Sequence, residues 1–108
     1  MDSQKHNRLV EYIRETAAAY LAREANRDSL ITVTGVELSD TEGSARILIS
    51  VLPEDKAEAA LAFVQRRAND YRLYFMEKVK MNRPPKFVFA IDLGERIRQK
   101  LDEISKKS

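Results

Sequence analysis

Two runs rich in β-branched residues, Leu30 to Leu38 and Ala45 to Leu52, flank the polar segment Ser39-Asp40-Thr41-Glu42-Gly43. In the second run Ala45, Ile47, Ile49 and Val51 alternate on one face, the period-two pattern of a strand with one buried side. In the first, Ile31 and Val33 share a phase that shifts to Val36 and Leu38 across Gly35, which predicts a bulge or twist at that glycine. Period two on both sides of a short polar turn predicts an antiparallel hairpin.

Helical spacing takes over on either side of the hairpin. From Gln4 to about Ala25, Leu9, Ile13, Ala17, Tyr20 and Leu21 form one apolar stripe, with Asp2 or Ser3 available as a cap. Pro53-Glu54-Asp55 opens a second helix, proline being preset for a first turn and acids suiting the positive end of the helix dipole. Its stripe is Ala57, Ala60, Leu61, Val64 and Ala68, and it resumes at Tyr71, Tyr74, Phe75 and Val79 after Asn69-Asp70. Asn and Asp compete for backbone hydrogen bonds inside helices, so a break is expected near Asn69. Pro84-Pro85 ends the helix, Lys86 to Ile91 reads as a third strand with Phe87, Phe89 and Ile91 inward, and Gly94 to Ser105 reads as a closing helix. Leu93, Ile97, Leu101 and Ile104 form the stripe of that helix. A chain of 108 residues fits a single domain over 1–108. The predicted class is α+β, a three-stranded sheet with helices on one face and its strand order left open.

Charge is distributed unevenly. Residues 64–86 hold seven basic side chains against two acidic ones, whereas residues 37–60 hold six acidic against two basic. A polyanion would be steered toward the first segment. The absence of cysteine removes disulfides, thiolate ligands and a cysteine nucleophile, and agrees with a reducing cytosol. No secretory run or membrane span is legible, and Glu11, Glu15 and Glu24 argue against an acid-poor presequence, so the expectation is a mature, soluble, cytoplasmic chain. His6 stands without clustered ligands, Glu54-Asp55 is explained by the helix start, and neither a phosphate loop nor a serine nucleophile motif is present. No catalytic residue, metal, cofactor or small-molecule substrate is therefore expected.

The run Leu30-Ile-Thr-Val-Thr-Gly-Val-Glu-Leu-Ser39 with Ala45-Arg-Ile-Leu-Ile-Ser-Val-Leu-Pro53 resembles the hairpin of the ribosome-binding factor A family. Arg72, Lys80-Met81, Pro85 and Phe87-Val-Phe-Ala-Ile-Asp92 extend that resemblance, which covers about residues 8 to 104. It implies a type II K-homology fold, no catalysis, binding to the small (30S) ribosomal subunit, and help with maturation of the 5′ end region of 16S rRNA, notably in the cold. K-homology domains usually clamp nucleotides with a Gly-x-x-Gly loop. With only Gly35, Gly43 and Gly94 this chain lacks it. The family resembled replaces that loop with an Ala-x-Gly helix interruption, whose nearest counterpart here is Arg67-Ala68-Asn69-Asp70. Counting back from Pro85 puts Asn69 at the glycine, and Asn tolerates positive φ better than most residues.

The expected RNA contacts are Arg66, Arg67, Asn69, Arg72, Lys78, Lys80, Arg83 and Lys86, with Lys5 and Arg8 as secondary ones. Cations around a helix break neutralise phosphates, while amides freed there donate to them. Tyr71 and Tyr74 have the makings of stacking platforms, but their helical spacing beside Phe75 favours core packing. Charge reversal of Arg67 and Arg72 is expected to weaken RNA binding without moving the thermal midpoint. The partners so read are 16S rRNA and the 30S subunit, with a monomer when free and no membrane. The alternative is a module of the same fold that binds an acidic protein.

Overall fold

The computed structural model describes residues 3–24 and 28–107. Its elements in chain order are α1 (Ser3–Glu24), β1 (Leu30–Leu38), β2 (Ser44–Leu52), a 3-10 turn (Glu54–Lys56), α2 (Ala57–Arg66), α3 (Ala68–Val79), β3 (Lys86–Ile91) and α4 (Leu93–Lys107). All five residues of the expected α1 stripe are buried. Of the residues read at that helix's ends, Asp2 and Ala25 lie outside the described residues, and Ser3 is itself helical rather than a cap.

The sheet runs β1-β2-β3, antiparallel across the first pair and parallel across the second. A parallel partner is out of reach of a tight turn, so the chain crosses over through α2 and α3 before Lys86 pairs beside Ser44. Ala45, Ile47, Ile49 and Val51 of β2 and Phe87 and Phe89 of β3 point into one layer beneath α1, α2 and α3. At the exposed edge of β3, the Phe89 amide donates to Gln65 Oε1 at 2.6 Å, so α2 caps part of that edge.

Tyr20 and Tyr71 sit at the centre, each fully buried. The Tyr71 ring lies 4.9 Å from Phe87, 5.5 Å from Tyr20 and 6.0 Å from Phe89, at the tilted angles aromatic pairs prefer. Its hydroxyl shares a 2.9 Å hydrogen bond with Thr16 Oγ1 and lies 3.2 Å from the Ile13 carbonyl. Burial raises its ionisation well above that of an ordinary tyrosine. Tyr20 donates to Asp70 Oδ2 at 2.5 Å, which fixes the start of α3 against the end of α1.

The expected bulge is present. Val33 pairs with Ile49 and Gly35 with Leu48, leaving Thr34 as the extra residue. Thr34 Oγ1 then donates to Asp92 Oδ2 at 2.5 Å, while Asp92 Oδ1 accepts the Glu95 amide at 2.9 Å at the start of α4. The Thr34 hydroxyl and the amide hold the Asp92 carboxyl below the usual aspartate range. Its charge therefore stabilises the fold at neutral pH, and that contribution is lost as the pH falls below about 4. Asp92→Asn, which can still cap the helix, is expected to lose less thermal stability than the parent between about pH 5 and 3. Superimposable melting-temperature profiles would contradict this.

α4 departs from the layered body. None of its residues from Leu93 to Lys106 is buried, and Leu93, Ile97, Leu101 and Ile104 are 58–65 % exposed. Its base is tied down by Asp92 and by Glu54, whose Oε1 lies 3.0 Å from Arg96 Nε and 3.8 Å from Lys100 Nζ.

Candidate nucleic-acid interface

The helix break falls at Arg67, two residues before the expected Asn69. Arg67 has φ −100° and ψ 6°, and its amide donates to the Val64 carbonyl at 3.0 Å, closing α2 with a tighter turn. The Tyr71 amide then donates to the Arg67 carbonyl at 2.8 Å, starting the ladder of α3. This bridge-region conformation is open to any L residue, so the chain bends without glycine and without the positive φ that Asn69 was expected to take. Asn69 is instead an exposed residue of the first turn of α3. Ala68, Asn69 and Asp70 are the positions whose amides a new helix leaves without an intrahelical carbonyl, the arrangement that favours a phosphate.

Arg67 is already engaged. Its Nη1 lies 3.4 Å from Glu24 Oε1 and its guanidinium 4.6 Å over the Phe63 ring, so it clamps the end of α1 to α2. Its reversal to Glu would set two carboxylates together, so for this residue a lowered thermal midpoint is expected in place of an unchanged one. Arg66 is exposed beside it, and Asn69 and Arg72, three positions apart, share one flank of α3.

Lys78 belongs to the other flank, with its ammonium 5.6 Å from the Tyr74 ring. Arg23 lies 4.9 Å over the same ring and 5.3 Å over Tyr20. Tyr71 is sealed in the core and Tyr74 is half-buried under these cations, so neither is an open stacking platform. Lys80 ends α3 in the left-handed conformation, φ 60° and ψ 42°. Arg83 is exposed on the connection, and Lys86 opens β3, its amide donating to the Gly43 carbonyl of the hairpin loop at 3.0 Å.

The structure thus divides the expected contacts between the two ends of α3, about 18 Å apart for a 12-residue helix. Arg66, Asn69 and Arg72 stand at the break, and Lys80 stands at the far end, where it meets Lys5 and Arg8 of α1. Among the described residues Arg66, Arg72, Lys80, Arg83 and Lys86 make no ion pair. Acids of the hairpin and of the α2 start are partly neutralised: Glu37 meets Arg46 at 2.8 Å and Glu54 meets Arg96. Sequence reasoning missed Tyr12, which lines the same far-end groove and is 42 % exposed. Its position off the Leu9-Ile13-Ala17 stripe was the available signal.

The one-sided three-stranded sheet with its helix-strand-strand-broken helix-strand order defines a type II K-homology-like domain. The model of the Ribosome-binding factor A family matches residues 5–105, and the chain belongs to that family. It is 32% identical over 111 residues to ribosome-binding factor A of Thermodesulfovibrio yellowstonii, spanning 97% of this chain and 94% of that one. The corresponding protein of Brevibacillus brevis is 30% identical over 112 residues, covering 97% and 93% of the two chains. The crystal structure of ribosome-binding factor A from Thermus thermophilus superposes with a TM-score of 0.69 at 21% identity, over 79% of this chain and 93% of that chain. A Thermus thermophilus homology model fitted into the cryo-EM map of a 30S complex superposes with the same TM-score and identity, over 77% and 90%.

Proposed function

We propose that this chain is a noncatalytic cytoplasmic assembly factor, monomeric when free, that binds 16S rRNA in the 30S subunit. It assists late maturation and 5′-end processing of that RNA, notably in the cold. The observation that carries the reading is the set of unpaired cations, Arg66, Arg72, Lys80, Arg83 and Lys86, disposed along one broken helix and the connection after it. Family membership and the 30S complex of the Thermus protein support the same partner. Lys78, Asn69 and the engaged Arg67 belong to this surface as supporting contacts, with Lys5 and Arg8 extending it onto α1.

Each phosphate neutralised contributes about 0.7 to 0.9 to the slope of log affinity against log salt, so five contacts weaken binding on the order of a hundredfold for a fourfold rise in salt. Cosedimentation with small subunits, large subunits and complete ribosomes at two salt concentrations tests this. Pelleting with small subunits alone, fading at the higher salt, is the expected result. Absence from all three pellets would favour the second reading, a module for an acidic protein partner. The uncovered stripe of α4 supports that second reading, since Arg96 and Lys100 border it on one side and Arg98 on the other by helical spacing.

A further inference from the structure

The ends of α1 and α3 and the hairpin loop line an open groove of about 360 Å³. That volume falls in the range of roughly 300–1,000 Å³ common to small-ligand sites. Leu9, Val79 and Met81 supply its apolar lining, Tyr12 a ring with an exposed side, and Lys5, Arg8 and Lys80 its positive charge. Lys5, Arg8 and Tyr12 lie three and four positions apart on one flank of α1, so the cations and the ring face the same space. These three cations make no ion pair among the described residues.

A second observation concerns the backbone. Among the described residues only Glu42 and Lys80 combine a side chain with positive φ, at 61° and 60°, and both line this groove. Left-handed conformations at non-glycine residues are costly and gather at ligand sites, where the surroundings hold them in place. Here the turn that ends α3 presents Lys80. The hairpin turn presents Glu42, whose Oε2 lies 3.2 Å from the largely buried Nδ1 of His6.

We propose that this groove takes one unpaired nucleotide of an RNA strand. Its base stacks on Tyr12 over the apolar lining, and its phosphate meets Lys5, Arg8 and Lys80. A carboxylate accepts hydrogen bonds, and in the structure Glu42 Oε2 faces His6, leaving Oε1 as the oxygen offered to a base. It therefore favours a base with an exocyclic amine, adenine, cytosine or guanine, over uracil, whose one ring N–H is flanked by two carbonyl oxygens that repel a carboxylate. The inference rests on the RNA-binding reading above and adds to it a site for a base, at the end of α3 opposite the break.

The test measures binding of labelled five-nucleotide single strands, oligo(A), oligo(C) and oligo(U), by fluorescence anisotropy, with amide NMR shifts to locate them. Expected are shifts at residues 5–12, 42 and 79–81, and tighter binding of oligo(A) and oligo(C) than of oligo(U). Tyr12→Ala should weaken binding about tenfold or more, Tyr12→Phe should restore it, and Glu42→Gln should narrow the preference over uracil. Tyr12 lies outside the core, so both Tyr12 variants should melt like the parent. Shifts confined to the break around Arg66 and Arg72, or no oligonucleotide binding by protein that still pellets with small subunits, would overturn the groove and leave the RNA-binding reading standing. Loss of both would overturn both. Adenosine monophosphate bound as tightly as oligo(A) would assign the groove to a free nucleotide and overturn the strand reading.

Discussion

Replacing Arg66 and Arg72 together with Glu is expected to weaken binding to small subunits by about a hundredfold at moderate salt and to lower the salt slope by roughly two contacts' worth. Two phosphate contacts are lost, and two carboxylates are placed against a polyanion. The folded chain should hardly notice. Arg66 is exposed, Arg72 is half-buried, and neither makes an ion pair among the described residues. Substitutions at such positions usually stay within about 0.5 kcal/mol. Arg67→Glu is the contrasting variant, because it loses the contacts to Glu24 and Phe63 and sets two acids side by side. It should lower the melting temperature as well as affinity. Cosedimentation and thermal melts of both variants separate these outcomes, and an Arg66/Arg72 double variant that pellets like the parent would remove the break from the interface.

Tyr71→Ala is expected to destabilise the fold by about 3–5 kcal/mol, the range for deleting a large buried ring. The cost arises because the ring fills the space between α1, α3 and β3, packing on Tyr20, Phe75, Phe87 and Phe89. Domains of this size are stable by only about 5–15 kcal/mol. At roughly 4–8 °C per kcal/mol the melting temperature should fall by more than about 10 °C. Tyr71→Phe keeps the ring and loses only the hydroxyl between Thr16 and the Ile13 carbonyl, a change of about 1 kcal/mol. An alanine variant melting within a few degrees of the parent would show that the surrounding rings close over the gap.

Local periodicity carried most of the fold. The stripe from Leu9 to Leu21, the alternation from Ala45 to Val51 and the phase shift at Gly35 each describe residues whose neighbours lie a few positions away. Where the partner is distant the pattern is silent. Nothing local says that Lys86 to Ile91 joins β2 rather than β1, or joins it in parallel. The break illustrates a different limit. Asn69-Asp70 was the chemical signal, but the bend falls two residues earlier, at Arg67, where Glu24 of α1 meets the Arg67 guanidinium and Tyr20 of α1 holds Asp70. At the candidate interface, charge alone marked the segment. It did not separate Arg66, which is free, from Arg67, which is engaged, nor did it bring Lys5 and Arg8 to Lys80 from far along the chain. Left-handed Lys80 and Glu42 had no sequence signal, lysine and glutamate being uncommon in that conformation.

α4 holds its cap at Asp92 and its ties to Glu54, yet none of its residues from Leu93 to Lys106 is buried in the core. Its opening is therefore a local event whose free energy is set by its own fifteen residues and those few ties, and not by the global stability of the domain. Amides along the helix should exchange with solvent while those of β2 remain protected. Substitutions at Ile97 or Leu101 are likewise released from the shape constraints that govern Ile47 or Phe75, so this helix is a part of the chain whose sequence can change without refitting the interior.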